Sequence, residues 1–87
     1  MRSRPMKASL VRISVRSHSD AECVAAALGR FDSRIDWDGE RWVVEAMAAG
    51  GMRPYVMSAL KSCLDQNEIA SATVTFGERS YVLEGRR

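Results

Sequence analysis

Two stretches decide the fold of this chain: DGERWVVEA at residues 38–46 and GERSYVLEG at residues 77–85. Each places a tight-turn signal before a run of apolar and polar side chains, and the two copies lie 39 residues apart. An amphipathic helical stretch precedes each copy. A repeat of this size is typical of repeated supersecondary units. The repetition therefore predicts two helix–strand–strand units in series.

A strand and a helix precede the first of these stretches. The chain alternates apolar and polar side chains from Leu10 to Arg16, which is typical of a half-buried strand. Ser19-x-x-Glu22 then predicts a capping box at the start of the first helix. A second helix is indicated over residues 56–64, where apolar residues recur at helical spacing.

Both tight-turn signals predict two-residue hairpins. Asp38-Gly39 tolerates positive φ at both turn positions, so we expect Ile35 to lie opposite Trp42. Gly77 suits the first position of a type II′ turn. In this register four aromatic side chains are expected on the inner face: Trp37, Trp42, Phe76 and Tyr81.

The resulting order of elements, β-α-β-β-α-β-β, resembles that of ferredoxin-like domains. We expect an α+β fold with an antiparallel sheet in the order 5-4-1-3-2. Both helices should cover one face, because crossover connections are right-handed. Residues 8–85 are predicted to form this single domain, and residues 1–7 a disordered basic leader. Whether the fifth strand pairs within its own chain or with a neighbouring copy stays open.

Composition narrows the classes of function. The chain has 87 residues and a formal net charge of +2, which is far from the basic balance of a dedicated nucleic-acid binder. The outer face of the sheet is also expected to lack the aromatic rings on which RNA-recognition modules stack bases. Arg12 and Arg16 interrupt the apolar start, so we expect no signal peptide or membrane span, and a cytoplasmic location by default.

Side chains capable of chemistry are few. Cys23 and Cys63 are not in a C-x-x-C pair, and the chain has one histidine, so we expect no metal site and no cofactor. Both cysteines fall on apolar helix stripes, which favours reduced, buried thiols. His18 stands beside residues that helix capping already explains. A small enzyme using His18 is therefore the weakest interpretation, and no catalytic residue is predicted.

Two segments could bind a small molecule or an anion. The glycine-rich entry into the second helix offers free amides and an arginine, although glycine pairs more often mark plain turns. The order of elements also resembles the amino-acid-sensing domains of the ACT type, a family that dimerises and binds ligands near the first strand–helix turn. This chain has an aspartate at that turn but lacks the glycine of the family. The candidate ligand contacts are Ser19, Asp20, Gly50, Gly51 and Arg53.

The outer face of the sheet supports the preferred hypothesis. Val43, Met47 and Val82 are apolar residues assigned to this otherwise polar face, on which Arg12 also lies. A chain of this length has a thin core, and a symmetric dimer would supplement it. We therefore expect a small non-catalytic protein-interaction or regulatory domain, homodimeric through these four residues. The expected partner is a second copy or another protein, not a membrane or nucleic acid.

Overall fold

The computed structural model describes residues 8–85, with side chains described for residues 10–49 and 51–85. The strands are β1 (Ala8–Val15), β2 (Arg34–Trp37), β3 (Trp42–Ala49), β4 (Ser71–Phe76) and β5 (Arg79–Glu84). The helices are α1 (His18–Ala27) and α2 (Arg53–Gln66), and short 3-10 helices occupy Gly29–Phe31 and Gly50–Met52. The basic leader predicted at residues 1–7 lies outside the described residues.

All five strands form one antiparallel sheet in the order β2-β3-β1-β4-β5. This is the predicted order 5-4-1-3-2 counted from the other edge, so the ferredoxin-like fold is confirmed. β1 is central and pairs with β3 along its whole length and with β4 over residues 11–14. β5 pairs with β4 of the same chain, from Ser71 opposite Glu84 to Phe76 opposite Arg79. β2 and β5 are therefore the two edges.

The hydrophobic core lies between one face of the sheet and the two helices. Alternation along β1 sends Val11, Ile13 and Val15 inward, and all three are fully buried. Full burial of such a side chain contributes about 1.5–3 kcal/mol. Among the described residues no polar or charged residue is buried, so the layer is entirely apolar. The helix residues that pack into it include Ala21, Val24, Val56, Leu60 and Leu64.

The first helix begins earlier than the capping box predicted. Ser17 is the N-cap, and its side-chain oxygen accepts a hydrogen bond from the Asp20 N–H at 3.1 Å. Ser19, the predicted cap, lies inside the first turn. Ser17 is a favoured N-cap residue that bonds the Asp20 N–H, and it lies closer to the end of β1. The helix therefore starts as soon as the strand allows.

The first hairpin has a longer turn than predicted. Trp37 lies opposite Trp42, and Ile35 lies opposite Val44 instead of Trp42. The Asp38 carboxylate accepts hydrogen bonds from the N–H groups of Glu40 and Arg41, at 2.9 and 2.8 Å. This Asx-type turn outcompetes the two-residue turn. Because the register shifts by an even number of residues, each side chain keeps its predicted face.

The second hairpin is as predicted. Gly77 has a φ of +61°, and Phe76 lies opposite Arg79 across a two-residue turn. Among the four aromatic residues expected inside, Phe76 is buried and Trp42 is half-buried. Trp37 and Tyr81 are on the inner face but remain 49% and 40% exposed. Both belong to edge strands, which the two helices cover incompletely.

Candidate interaction surface

The face of the sheet away from the helices carries a row of polar side chains, one from each strand. Glu45 lies between two arginines: its carboxylate is 3.3 Å from the Arg12 Nε and 3.7 Å from the Arg34 Nε. Further along the row, the hydroxyls of Thr75 and Ser80 are 3.0 Å apart. Exposed ion pairs of this kind contribute about 0–1 kcal/mol to stability. The row pairs its charges internally, which weakens its attraction for a charged partner.

The four residues predicted to form a dimer interface do not make one patch. Val43 is only 1% exposed within the single chain, so its side chain has almost no surface to offer. Met47 lies opposite Leu10, and the two are 40% and 44% exposed. Val82 is three strands from Met47 in the sheet order and about four residues further along the strands, so the two lie roughly 20 Å apart. Arg12 lies between them in its ion pair with Glu45.

Leu10 is an exposed apolar residue of this face, and it was not among the interface residues predicted from the sequence. It occupies an even position of β1, the same side as Arg12 and Ser14, so the alternation already assigned it outward. Together with Met47 it borders a shallow pocket of about 260 Å³ that also contacts Arg34 and Glu45. The apolar part of the open face therefore lies where the start of β1 pairs with β3.

β5 is the most accessible strand of the sheet. Val82 is 64% exposed, the highest value for a large apolar side chain among the described residues. The Gly85 N–H donates to the Ala70 carbonyl at 2.8 Å. Hydrogen-bonded and non-hydrogen-bonded pairs alternate along an antiparallel ladder. Odd-numbered residues of β5 therefore turn their peptide groups toward β4, and even-numbered residues turn theirs outward.

A hydrogen bond from α2 supports the outward direction of the even-numbered peptide groups of β5 and protects part of this edge. Lys61 of α2 reaches the end of β5, where its Nζ donates to the Glu84 carbonyl at 2.8 Å and to Asp65 Oδ1 at 3.3 Å. The Glu84 carbonyl must therefore face away from β4. Lysine at a sheet edge is a common protection against unwanted strand pairing. Among the described residues, no side chain bonds the outward peptide groups of Ser80 or Val82.

An aromatic cluster lies near the opposite edge. The ring centroids of Trp37 and Trp42 are 4.9 Å apart, and the His18 ring meets Trp42 edge-on at 4.6 Å. The His18 Nδ1 lies 3.6 Å from Glu22 Oε2, with both side chains more than half exposed. A catalytic histidine needs convergent partners in a protected site. This pair is open to water, which favours a packing role for His18.

The two segments predicted to bind a ligand lie at opposite ends of the sheet. Ser19 and Asp20 belong to the first turn of α1, which follows the end of β1. Gly50 and Gly51 follow Ala49, which pairs with the first residue of β1. The length of β1 separates these ends by roughly 23 Å at 3.3 Å per residue. One small ligand therefore cannot contact both segments.

Local contacts already use groups that an anion would need. The Arg53 guanidinium lies over the Phe76 ring, with its Cζ 5.0 Å from the ring centroid. This is cation–π geometry, and it ties the start of α2 to β4. At the start of α1, the Asp20 N–H is bonded to Ser17. The structure therefore gives both segments a structural role.

The two cysteines line one groove of about 420 Å³ between α1 and α2. Cys63 is buried as predicted, whereas Cys23 is half-buried. Burial raises the pKa of the Cys63 thiol, and the neighbouring Cys23 raises it further. The Asn67 Nδ2 lies 3.7 Å from the Cys63 Sγ. A thiol with a raised pKa is a poor nucleophile.

Among residues 8–85, no group of three or more His, Cys, Asp or Glu side chains could hold a metal ion. No helix in this part of the chain has the length and apolar character needed to cross a bilayer. Comparison with protein-family models, curated proteins and solved structures finds no match. Functional inference therefore rests on the geometry described above.

Proposed function

We propose that this protein is a small non-catalytic interaction domain that works as a homodimer joined through its sheet. The observation that carries the proposal is the uncovered apolar surface of a sheet with helices on one side only. Leu10 and Met47 are 44% and 40% exposed on the open face, and Val82 is 64% exposed on β5. A domain of this size buries a smaller share of its surface than a larger domain does, and self-association adds to that share.

The absence of catalysis in this proposal is supported by the chemistry of the candidate groups. His18 and Glu22 form a solvent-exposed pair, and burial suppresses ionisation of the Cys63 thiol. The charged row on the open face is paired within the chain. We also propose a cytoplasmic location, since cysteines without a disulfide partner are typical of reducing compartments.

Sedimentation velocity over about 1–200 μM tests the homodimer, a range that brackets micromolar affinity. The expected result is a concentration-dependent rise from a 9.7 kDa species to one of twice that mass. Raising the salt concentration should change the transition little, since apolar burial and strand pairing are less sensitive to screening than exposed ion pairs. A single 9.7 kDa species at every concentration contradicts the proposal.

A small-molecule or anion sensor of ACT-like topology is the alternative. It has weaker support, because its two candidate segments lie at opposite ends of β1. Thermal unfolding with amino acids, nucleotides or phosphate separates the two functions. A ligand that binds the folded state raises the melting temperature in proportion to the logarithm of its concentration. Such a rise favours the sensor.

A further inference from the structure

We infer that the dimer forms by antiparallel pairing of β5 with β5 of a second copy, with Val82 at the two-fold axis. The two five-stranded sheets then become one continuous sheet with both helix layers on the same side. This inference rests on the proposed homodimer and specifies its surface.

The two edge strands differ in the hydrogen-bonding groups that they present outward. In β2 the Asp38 N–H donates to the Arg41 carbonyl at 3.2 Å, so Ile35 and Trp37 point their peptide groups outward. The Trp37 N–H is already bonded to its neighbour Asp36, at 2.8 Å from the carboxylate. A short strand with one of its outward donors already bonded is a poor template for strand addition.

β5 offers more. Ser80, Val82 and Glu84 turn their peptide groups outward, and Lys61 occupies only the Glu84 carbonyl. A carbonyl oxygen has two lone pairs, so this oxygen can still accept a second bond from a partner strand. The open groups lie at the middle of the strand and toward its start. A second strand can therefore bond along the full outward face of β5.

The register of the β5–β5 pair is limited by symmetry and by which peptide groups point outward. A two-fold axis perpendicular to the sheet requires paired residues to lie on the same face, and the outward peptide groups must meet each other. With the axis at Val82, Val82 faces itself and Ser80 faces Glu84 of the second copy. On the helix side Tyr81 faces Leu83 of the second copy, so apolar side chains meet apolar side chains.

The neighbouring register, with the axis at Tyr81, is less favourable. It places Glu84 opposite Glu78 of the second copy, and Arg79 opposite Leu83. Like charges directly opposite each other destabilise a strand pair. Glu78, Arg79 and Glu84 are all exposed, so the chain itself shields none of these charges. The charge pattern therefore favours the axis at Val82 over the axis at Tyr81.

The small area of a single strand edge limits the affinity of the β5–β5 contact. Pairing covers the exposed parts of Val82 and Tyr81, which are 64% and 40% exposed. A single strand edge buries less than the roughly 1,000 Å² expected of a strong specific interface. Backbone hydrogen bonds add to this, each with a modest net contribution. We therefore expect a reversible dimer with a dissociation constant on the order of micromolar to tens of micromolar.

The test uses Val82→Pro, with Val82→Thr as the matched control. Proline removes the outward N–H of residue 82 and leaves the bonds to β4 intact, which edge strands tolerate. We expect the proline variant to keep its circular dichroism spectrum and to raise the dissociation constant by about 10- to 100-fold. The threonine variant keeps the N–H and the β-branched shape, so it should stay within about 3-fold of the wild type.

A third variant, Met47→Glu, separates this inference from the proposed function. If dimerisation persists in Val82→Pro and is lost in Met47→Glu, the dimer uses the open face, so the β5 inference fails while the homodimer stands. If the wild type is monomeric throughout, both fail. If the proline variant does not fold, amide hydrogen exchange on the wild type decides. Pairing through β5 protects the Ser80, Val82 and Glu84 amides only at dimer concentrations, and equal exchange at all concentrations overturns it.

Discussion

The two edge strands, β2 and β5, belong to one sheet but are finished in different ways. β2 has four residues, its last N–H is bonded to Asp36, and its Trp37 packs against Trp42. β5 has six residues and an open central stretch, with Lys61 at one end only. In β2 a side chain bonds one of the few outward donors, whereas β5 keeps the outward peptide groups of Ser80 and Val82 without a side-chain partner among the described residues. The contrast supports the proposal that β5 is the contact edge.

The largest expected effect concerns the point where β5 is anchored. A Cβ at Gly85 would collide with the Ile69 carbonyl oxygen and press on Leu64. Because the first obstacle is backbone, relaxation is difficult, and Gly85→Ala should lower the free energy of unfolding by about 2–4 kcal/mol. Urea denaturation followed by circular dichroism measures this change.

Gly51→Ala is the control for that substitution. A Cβ at Gly51 meets nothing within 4 Å, so this variant should lie within about 0.5 kcal/mol of the wild type. Equal stability of the two alanine variants would show that the end of β5 can move away from the loop after α2. The β5 edge would then be a mobile strand, and the comparison with β2 would lose its basis.

A smaller effect is expected at the residue that protects the end of β5. Lys61→Met keeps the apolar stem but removes the ammonium from the Glu84 carbonyl. This removes a competing donor from an acceptor that the partner strand also uses, so the dissociation constant of the dimer should fall by about 2- to 5-fold. Sedimentation velocity on the variant and the wild type measures the difference.

Asp36→Ala is the matched change at the other edge. It frees the Trp37 N–H of β2, but that strand is short, so dimer affinity should remain unchanged. If Asp36→Ala strengthens self-association and Lys61→Met does not, the roles assigned to the two edges are reversed. Higher-order species in the double variant would indicate that both edges pair once they are opened.

The sequence predicted the order of elements and the face of each side chain, because alternation and helical spacing report directly on burial. It did not predict that Val43 is covered, since alternation assigns a face but not the neighbours on it. The open edge of β5 was within reach of the sequence: the two-residue turn at Gly77 fixes which amides point outward. The contact of Lys61 with Glu84 was not, because it joins residues far apart in the chain.

The first hairpin shows why register is harder to predict than face. Asp38-Gly39 favours a two-residue turn, but the Asp38 carboxylate bonds two amides further along and draws Glu40 and Arg41 into the loop. A side chain that can bond its own backbone competes with the strand ladder. Turn chemistry thus shifted the pairing by two residues without moving any residue to the other face.

The smallest expected effect concerns the turn at Asp38, which joins β2 to β3. Hydrogen bonds from the Arg41 and Glu40 amides lower the pKa of Asp38 from its ordinary value of 3.8. A carboxylate with a lowered pKa in the folded state stabilises the fold above its unfolded pKa. That contribution is lost as the pH falls through the folded value. Between pH 5 and 7 it should be fully present, and it should fade below about pH 3.8.

Asp38→Asn isolates the charge, because asparagine keeps an acceptor oxygen for the same two amides. We expect the wild type to have a slightly higher urea midpoint than the variant between pH 5 and 7, and the two midpoints to converge as the pH falls below 3.8 and through the lowered pKa of folded Asp38. A difference that stays constant to low pH would mean that the carboxylate charge does not hold the turn. The β2–β3 turn would then depend on the hydrogen bonds as neutral contacts and on the Trp37–Trp42 contact.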